Sequence, residues 1–250
     1  MNTYQRIVIV GATSAIAEHC ARLWVTRSPD ELVLVGRHQE KTEAVAADLR
    51  TRAPGVSISV RMADFQSPGN IQQLVDELTT RRAVDLVLIA HGSLPDQGMC
   101  QADLSLANEA LDINAISPVL FAEAFSGAME RVGQGCIAII GSVAGDRGRK
   151  SNYIYGAAKG LVERYAQGLD HRLGATKVRV ALIKPGPTDT PMTAHLKNSG
   201  PALASVEEVA QCIVKGVDKR KPVIYAPGKW NIIMLVIKLL PRFVFNKVNI

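Results

Sequence analysis

The chain has few cysteines, and their spacing does not suit a metal site. Its 250 residues include only four, at Cys20, Cys100, Cys136 and Cys212, and none of them belongs to a Cys-x-x-Cys or Cys-x-x-His pair. Each lies in an apolar or helical stretch, which predicts buried thiols in a reducing compartment. We therefore expect a cytoplasmic protein without disulfides and without a bound metal.

An export signal and a long hydrophobic run are also missing. The sequence passes from MNTYQR directly into the apolar segment IVIVGA, without the charged leader, apolar core and cleavage site of a secretory signal. The apolar run IIMLVI, residues 232–237, is far shorter than the roughly 20 residues that span a bilayer. We expect neither export nor a transmembrane helix.

Composition and length predict one globular domain with a distinct tail. Hydrophobic residues make up 47% of the chain and charged residues 21%, which suffices for one sizeable core. No repeat, low-complexity tract or linker rich in Pro, Gly or Ser divides the sequence. We assign residues 1–228 to the domain and residues 229–250 to an apolar, basic tail that either packs on the domain or lies at a membrane surface.

Short β-branched segments alternate with longer segments of helical composition. The predicted strands are RIVIVG, ELVLVG, SISVRM, DLVLIA, CIAIIG, VRVALI and PVIYA. The first six are almost continuously apolar, as expected of parallel strands that are covered on both faces. The pattern predicts an α/β fold, a Rossmann-type doubly wound parallel sheet of about seven strands with a C-terminal apolar and basic helix.

The segment VIVGATSAIAEHC predicts a nucleotide site where the first strand meets the first helix. Backbone N–H groups at a helix N-terminus can bind a pyrophosphate. The glycine spacing of such loops is present, although Ala15 and Ala17 occupy the second and third glycine positions. A small-residue turn packed for steric reasons is the alternative. The candidate cofactor ligands in this loop are Gly11, Thr13, Ser14, Ala15 and Ile16.

The ends of the next strands supply further cofactor candidates. After the second strand comes Arg37 and no acidic residue, which favours the 2′-phosphate of NADP(H) over the free hydroxyl of NAD(H), although an arginine here could instead stack on adenine. Asp64 follows the third strand and could equally cap a turn or helix. The fourth strand ends in the candidates Ala90, His91 and Gly92.

Tyr155 and Lys159 lie one helical turn apart, so a helix would present both on one face. A cation beside a phenol favours the phenolate and lowers its pKa from about 10 toward working pH, as a proton donor to a carbonyl requires. Tyr153 is six residues from Lys159 and faces elsewhere. A surface Tyr–Lys pair is the alternative, but Ser142 after the fifth strand and Asn114 on the preceding helix follow in the expected order.

Together the segments GATSAIA, AHG, DIN, GSVAG, YGAAK and KPGPTDT resemble the short-chain dehydrogenase/reductase family over the whole chain. The resemblance implies that Tyr155 is the general acid/base and that Ser142 binds the substrate oxygen. It implies that Lys159 holds the nicotinamide ribose and that Asn114 anchors a proton-conducting water. It also implies that the PGP segment and the residue behind it contact the nicotinamide, which adds the cofactor candidates Pro185, Gly186 and Thr188.

Two basic regions bear on the substrate. Arg147, Arg149 and Lys150 form a basic loop between Ser142 and Tyr155, which could bind an anionic group of the substrate or simply be solvated. The tail has no acidic residue and combines apolar residues with four cations, which predicts a helix lying at a membrane surface. Covering a substrate pocket or a subunit interface is the alternative. The tail cations are Lys229, Lys238, Arg242 and Lys247.

The segments GDRGRKSNYIYGAAK, PGPTDTPMTAHLK and APGKWNIIMLVIKLLPRFVFNK resemble the branch of the family that reduces decaprenylphosphoryl-2-keto-ribose. This resemblance implies a ketone substrate on a polyprenyl-phosphate-linked pentose, the second half of a 2′-epimerisation in cell wall biosynthesis. It implies a flavin oxidase partner that makes the ketone, a location at the inner face of the membrane, and, as usual in the family, a homo-oligomer.

Two other functions fit parts of the sequence. A soluble reductase of fatty-acyl, steroid or small ketones would use the tail to line its pocket. The net charge of +6 could also suit a nucleotide-sensing or nucleic-acid-binding scaffold. The complete set of catalytic side chains argues against the scaffold, and no recognition helix or aromatic-basic strand motif supports nucleic acid as a partner.

Overall fold

A computed structural model describes residues 4–196 and 202–248 of the chain. Its centre is a seven-stranded parallel sheet in the order β3-β2-β1-β4-β5-β6-β7, which confirms the predicted Rossmann-type fold. The strands are β1 Arg6–Val10, β2 Glu31–Gly36, β3 Ser57–Met62, β4 Leu86–Ile89, β5 Gln134–Ile140, β6 Lys177–Pro185 and β7 Val223–Ala226.

Helices cover both faces of this sheet. In the described part of the chain they are α1 Ala15–Val25, α2 Gln39–Arg52, α3 Pro68–Thr80, α4 Gln97–Ala102, α5 Leu104–Leu111, α6 Ser117–Val132, α7 Tyr153–Leu173, α8 Val206–Asp218, α9 Lys229–Leu239 and α10 Arg242–Phe245. Apolar residues of α1, α2 and α8 pack on one face, whereas those of α3, α6 and α7 pack on the other.

The alternation of side chains along each strand explains the apolar runs. In β1, Ile7 and Ile9 point into one helical layer, and Val8 and Val10 point into the other. A central strand therefore needs apolar residues at every position. β3 departs from the prediction of full coverage, because it lies at the edge of the sheet and is only partly buried.

The sheet order places the candidate residues together. The order reverses between β1 and β4, and the crevice at such a reversal, beyond the carboxyl ends of the strands, is where ligands bind in these folds. Because β1, β4, β5 and β6 are consecutive neighbours, the loops after these strands meet at one edge. These loops carry the Gly11, His91, Ser142 and Gly186 segments.

The cysteines are all free; three are buried and Cys212 is half-buried. Burial raises the pKa of the Cys136 thiol to about 12, so this thiol stays protonated and unreactive at neutral pH. Among the described residues, no three His, Cys, Asp or Glu side chains cluster as ligands for a metal ion.

The tail begins as α9 and packs on the domain along one side only. Met234 and Ile237 are buried against Val143, which follows Ser142 in the chain. The opposite side of α9 is apolar but open to solvent, with Ile232 70% and Leu239 73% exposed. In the part of the chain that the structure describes, no helix has the length and hydrophobicity to cross a bilayer.

Candidate active site

Gly11 makes the sharp turn that ends β1. Its φ of +80° lies in the left-handed region, and a β-carbon there would approach the backbone nitrogen of His91 to 2.6 Å. The amides of Gly11 and Ala12 both donate to the carbonyl of Val35 at 2.9 and 3.1 Å. Only glycine fits this turn, which directs the chain into α1.

The N-terminus of α1 can receive a phosphate group. Ser14 precedes the helix in an extended conformation, and its side chain makes no capping hydrogen bond, so the first-turn amides remain available as donors. Ser14 and Ile16 also line the pocket that contains Tyr155 and Lys159. Ala17, at the third glycine position, is fully buried in the core, so its methyl group fits there. The loop therefore suits a dinucleotide pyrophosphate despite its alanines.

Arg37 lies just beyond β2 with its side chain exposed. Its guanidinium carbon lies 5.8 Å from the centre of the Phe65 ring, and no ion pair joins it to an acid among the described residues. The cation is thus available to a ligand. Asp64 instead accepts a hydrogen bond from the Gln66 amide at 2.9 Å and does not line the pocket of Tyr155 and Lys159, which agrees with the turn-capping alternative.

His91 is a buried, neutral member of the site. Its Nε2 is 2.8 Å from Ser117 Oγ, and its ring packs edge-on against Phe65 and Phe121. Burial, with help from the charges of Lys159 and Arg37, lowers the pKa of His91 to about 3. A neutral imidazole here fills space beside the cofactor loop and does not take part in acid/base chemistry at neutral pH.

The predicted catalytic side chains meet in one pocket. Asn114, Ser142, Tyr155 and Lys159 all line it, together with the predicted cofactor residues Ala90, His91, Gly92, Pro185, Gly186 and Thr188. Tyr155 and Ser142 are joined by a hydrogen bond. Lys159 Nζ donates to the carbonyl of Ile140 at 3.0 Å and lies 5.8 Å from the centre of the Tyr155 ring.

The ionisation of this pair differs from the sequence expectation. Burial raises the pKa of Tyr155, and the hydrogen bond with Ser142 only partly opposes this effect. Burial lowers the pKa of Lys159 to about 8. The helical spacing correctly placed the two groups on one face, but desolvation outweighs the expected effect of the cation on the phenol. Tyr155 is therefore protonated at neutral pH.

Asn114 is held in a π-helical turn, Asp112–Ile116, between α5 and α6, where the sequence predicted an ordinary helix. Its Nδ2 donates to the carbonyl of Ala110 at 2.9 Å, and its Oδ1 accepts from the Ser93 amide at 2.9 Å. A β-carbon on Gly92 would lie 2.9 Å from that same oxygen. Single π-helical turns within helices are frequent at functional sites because they re-aim side chains.

The segment after β6 forms the opposite wall of the pocket. Thr188 Oγ1 donates to the carbonyl of Gly186 at 2.8 Å, which fixes the turn. Trp230 of the tail packs directly over Gly186, a contact between distant segments that sequence spacing could not reveal. Sequence reasoning also missed several lining residues. These are Ser93, Ile140, Gly141, Thr190, Met192 and Thr193.

The basic loop does not line this pocket, and its members differ in role. Arg147 Nη1 donates to the carbonyls of Ile237, Lys238 and Leu240 at the end of α9. The expectation that Arg147 binds substrate is therefore corrected, because its guanidinium is hydrogen-bonded to the tail. Arg149 and Lys150 instead line a second groove next to the tail.

A buried ion cluster anchors the basic loop. Lys184 at the end of β6 pairs with Asp146, and with Glu163 at 2.7 Å. Tyr225 donates to the other oxygen of Asp146 at 2.9 Å. Burial opposes the charged form of Lys184, but the two carboxylates outweigh it and raise its pKa. The cluster ties the loop to β6, α7 and β7.

Comparison with solved structures agrees with this architecture. A short-chain type dehydrogenase/reductase from Mycobacterium ulcerans superimposes with a TM-score of 0.82 at 21% identity over all of both chains. A short-chain dehydrogenase from Sphingobium yanoikuyae in complex with NADPH gives 0.81 at 24% identity over 98% of this chain and 96% of that one. At these identities the likeness establishes the fold.

Comparison of sequences establishes the family. An uncharacterized oxidoreductase of Mycobacterium tuberculosis is 28% identical over 96% of both chains, and one of Streptomyces coelicolor is 27% identical over 96% of this chain and 94% of its own. The family model described as short chain dehydrogenase matches residues 5–200. The protein is thus an oxidoreductase with the fold of NAD(P)-dependent dehydrogenases, and it belongs to the short chain dehydrogenase family.

Proposed function

We propose that the protein reduces a ketone to a secondary alcohol with NADPH, and that the ketone is the 2-keto group of a pentose linked to a polyprenyl phosphate. The reaction class, reduction of a ketone, is supported by one observation: a single pocket contains Asn114, Ser142, Tyr155 and Lys159. The resemblance of the basic loop and the tail to the keto-ribose reductase branch supports the substrate class.

The family resemblance implies a role for each of these residues, and their surroundings support it. A nicotinamide cofactor held by the Gly11 loop and Lys159 would supply the hydride for the carbonyl carbon. Tyr155 donates its phenolic proton to the carbonyl oxygen, and Ser142, hydrogen-bonded to Tyr155, holds that oxygen in place. Lys159, when protonated, contributes a positive charge that stabilises the phenolate left behind. Asn114 binds Ser93 and lies beside Gly92, where it positions a water that returns a proton toward Lys159.

The cofactor preference rests on Arg37. Its exposed guanidinium can bind a 2′-phosphate in bidentate fashion, and no acid among the described residues competes for it through an ion pair. The Sphingobium structure contains NADPH, and a gluconate 5-dehydrogenase from Burkholderia cenocepacia with a TM-score of 0.80 contains NADP. These neighbours support NADP(H) over NAD(H) as the proposal.

The tail supports a membrane-bound substrate. Leu235 and Val236 are 54% and 57% exposed on the open face of α9, and Phe243 of α10 is 70% exposed. Lys238 and Arg242 are interspersed among these apolar residues. An apolar face bordered by cations suits the surface of a bilayer with anionic lipids. We propose that this face rests on the inner surface of the membrane, where a flavin oxidase partner would deliver the keto sugar.

Self-association belongs to the same proposal. Ile116 next to α6 and Leu161 on α7 are apolar and 43% and 42% exposed. Covering them with a second copy would remove apolar surface from water. We therefore propose a homo-oligomer that pairs through the helices next to Asn114 and Tyr155; light scattering of the purified protein tests this, and a monomer at all concentrations would contradict it.

The decisive experiment follows NADPH oxidation by absorbance. A polyprenyl-phosphoryl pentose is supplied with its flavin oxidase, which generates the 2-keto sugar in place, and simple ketones serve as controls. We expect turnover with the lipid-linked keto sugar and much less with the simple ketones. Turnover of simple ketones alone would retain the reaction class but reject the lipid-linked substrate.

A further inference from the structure

The first turn of α7 carries Tyr155, and a side chain from another helix caps this turn. Tyr153 is the first residue of α7, Ile154 is the second and Tyr155 is the third. The Ile154 amide donates to Oε1 of Gln97 at 3.0 Å. Gln97 is the first residue of α4 and lies 57 residues earlier in the chain. The helix that carries the proposed acid therefore begins against a partner from a distant segment.

Gln97 does what the cap residue of α7 itself does not do. A cap residue normally accepts, through its side chain, a hydrogen bond from the second or third amide of its helix. Asn152 is the cap residue of α7, but its side chain makes no such bond, and its Oδ1 is buried without a hydrogen-bond partner. Among the described residues, Gln97 is thus the one side chain that accepts from a first-turn amide of α7.

The orientation of the Gln97 carboxamide follows from this bond. A backbone N–H can only donate, so the atom that faces Ile154 is the oxygen. The other atom, Nε2, is buried without a partner, and Gln97 as a whole is 9% exposed. A buried donor without an acceptor destabilises a fold, so packing alone would favour an apolar side chain here. The position therefore requires the oxygen of Gln97 and not merely its volume.

Apolar contacts hold the same turn. The side chain of Ile154 packs on a small cluster formed by Cys100 of α4 and by Ala107 and Ala110 of α5. The carbonyl of Ala110 also accepts from Nδ2 of Asn114 at 2.9 Å. The α4–α5 segment therefore contacts both the beginning of α7 and the side chain of Asn114.

The position of the Tyr155 phenol depends on this turn. The first amides of a helix have no acceptor within the helix, so helix ends open more easily than helix interiors. Lys159 lies one turn further along, and its Nζ is bonded to the carbonyl of Ile140 at 3.0 Å. An open first turn would therefore move Tyr155 and leave Lys159 in place. Proton transfer requires hydrogen-bond reach, and a misplacement of about 1 Å can cost about 10² in rate.

We propose that Gln97 is a positioning residue for the reduction. Its Oε1 holds the first turn of α7 and thereby keeps the Tyr155 phenol at the carbonyl oxygen of the substrate. Gln97 does not line the pocket of Tyr155, so it acts through the helix and not on the substrate. This inference rests on the proposed function for the reaction, ketone reduction, but not for the identity of the ketone.

Three variants separate the oxygen from the volume of the side chain. Gln97→Met keeps the length and removes the acceptor, whereas Gln97→Glu keeps an acceptor for the Ile154 amide. Gln101→Met is the matched control, because Gln101 is exposed on the same helix. We expect kcat for ketone reduction to fall about tenfold to a hundredfold in Gln97→Met, to recover largely in Gln97→Glu and to stay unchanged in Gln101→Met. The Kd for NADPH should stay unchanged in all three.

The phenol can also be followed without turnover. The five tyrosines are replaced by 3-fluorotyrosine, and the fluorine resonance of residue 155 is assigned from its absence in Tyr155→Phe. We expect Gln97→Met to shift this resonance and to speed exchange of the Ile154 amide about tenfold, and Gln97→Glu to restore both. Because the buried oxygen of Asn152 is a substitute acceptor, the measurements are repeated in Gln97→Met/Asn152→Ala. An unchanged resonance and an unchanged kcat in this double variant would overturn the inference.

The same measurements distinguish this inference from the proposed function. If the parent reduces no ketone, the proposed function fails, and the fluorine resonance alone decides whether Gln97 positions Tyr155. If the parent reduces a ketone but Gln97→Glu is as slow as Gln97→Met, the side chain matters only for packing, so the proposed function stands and the inference fails. A loss of NADPH affinity that equals the loss of kcat in Gln97→Met would reject the positioning role in the same way.

Discussion

The guanidinium carbon of Arg147 lies 3.8 Å from the centre of the Phe245 ring. Its Nη1 also donates to the carbonyl of Leu240 at 2.7 Å. One side chain, five residues after Ser142, therefore binds both helices of the tail. A cation at this place also compensates the unsatisfied carbonyls at the C-terminus of α9. Arg147 therefore links the loop after Ser142 to the tail.

Arg147→Ala should release the tail. The lost hydrogen bonds to carbonyls and the lost contact with the ring should speed amide hydrogen exchange in α9 by about tenfold or more. Phe245→Ala should act in the same direction, whereas Phe243→Ala, at an aromatic that is 70% exposed, should have little effect in solution. Unchanged exchange in Arg147→Ala would mean that the apolar contacts of Trp230, Met234 and Ile237 hold the tail without Arg147.

Tyr155→Phe should remove ketone reduction while leaving NADPH binding intact. The phenylalanine keeps the ring but cannot donate a proton, so we expect kcat to fall by about 10² to 10⁴. Tyr153→Phe is the matched control, because Tyr153 lies two residues away, is 41% exposed and does not line the pocket. NADPH affinity is measured by fluorescence titration. Loss of NADPH binding in Tyr155→Phe would reject the assigned role.

Lys159 should give the enzyme a pH dependence near pH 8. Burial lowers its pKa from 10.5 to about 8, so the positive charge is present below that pH and is lost above it. We expect kcat/KM for NADPH, which reports the ionisations of the free enzyme, to fall as the pH rises through about 8. Lys159→Arg, which stays charged, should lose this inflection. A profile of the parent that stays flat through this range would contradict the assignment.

The same ionisation should affect stability in the opposite direction. Between pH 8 and 10.5 the unfolded chain keeps the proton on Lys159 and the folded chain has released it, so the unfolded state binds more protons. The contribution of Lys159 to the free energy of unfolding therefore rises with pH over this window. Urea unfolding at several pH values, compared with Lys159→Arg, isolates this contribution.

The sequence was informative wherever chemistry depends on local spacing. The Tyr155–Lys159 pair, the turn at Gly11 and the positions of the seven strands along the chain each follow from patterns of a few residues, and the structure has them where they were expected. Contacts across long sequence separations could not be predicted. Arg147 meets carbonyls that lie 90 or more residues away, and no periodicity distinguishes a cation that caps a distant helix from one that binds substrate.

Burial was the other quantity that spacing did not provide. The pattern placed a cation near the Tyr155 phenol but could not indicate how completely both groups would be desolvated, and desolvation determines the direction of both pKa shifts. The π-helical turn around Asn114 also escaped prediction, because such turns are rare and the residue types of Asp112–Ile116 do not distinguish it from an α-helical turn.

Arg37→Ala should weaken NADPH far more than NADH. A lost charge-assisted contact with the 2′-phosphate corresponds to about a tenfold to hundredfold rise in Kd, whereas NADH offers only a hydroxyl at that place. Arg61→Ala is a suitable control, since Arg61 pairs with Val35 on the neighbouring strand and changes the local charge equally. Titrations of both cofactors are compared at one salt concentration. Equal weakening of NADPH and NADH would remove the basis for NADPH preference.

Gly186→Ala should disturb the pocket and the tail together. A β-carbon there would lie 1.9 Å from Trp230 Nε1, so either the indole or the loop that carries Thr188 must move. Overpacking of this kind costs about 1–3 kcal/mol, and we expect both a lower Tm and weaker NADPH binding. Gly228→Ala is the matched control, because a β-carbon on Gly228 meets nothing within 4 Å and its φ of −58° suits alanine.

The double variant Gly186→Ala/Trp230→Ala tests whether the clash with the Trp230 indole causes the effects of Gly186→Ala. Removing the indole makes room for the added methyl group, so the double variant should be more stable than the sum of the two single effects predicts. It should also recover much of the NADPH affinity lost in Gly186→Ala, because the loop can return to its place against Ala226, whose carbonyl accepts from the Gly186 amide at 3.0 Å. Strict additivity of the two substitutions would show that Trp230 and Gly186 act independently, and the tail would then have no direct influence on the cofactor loop.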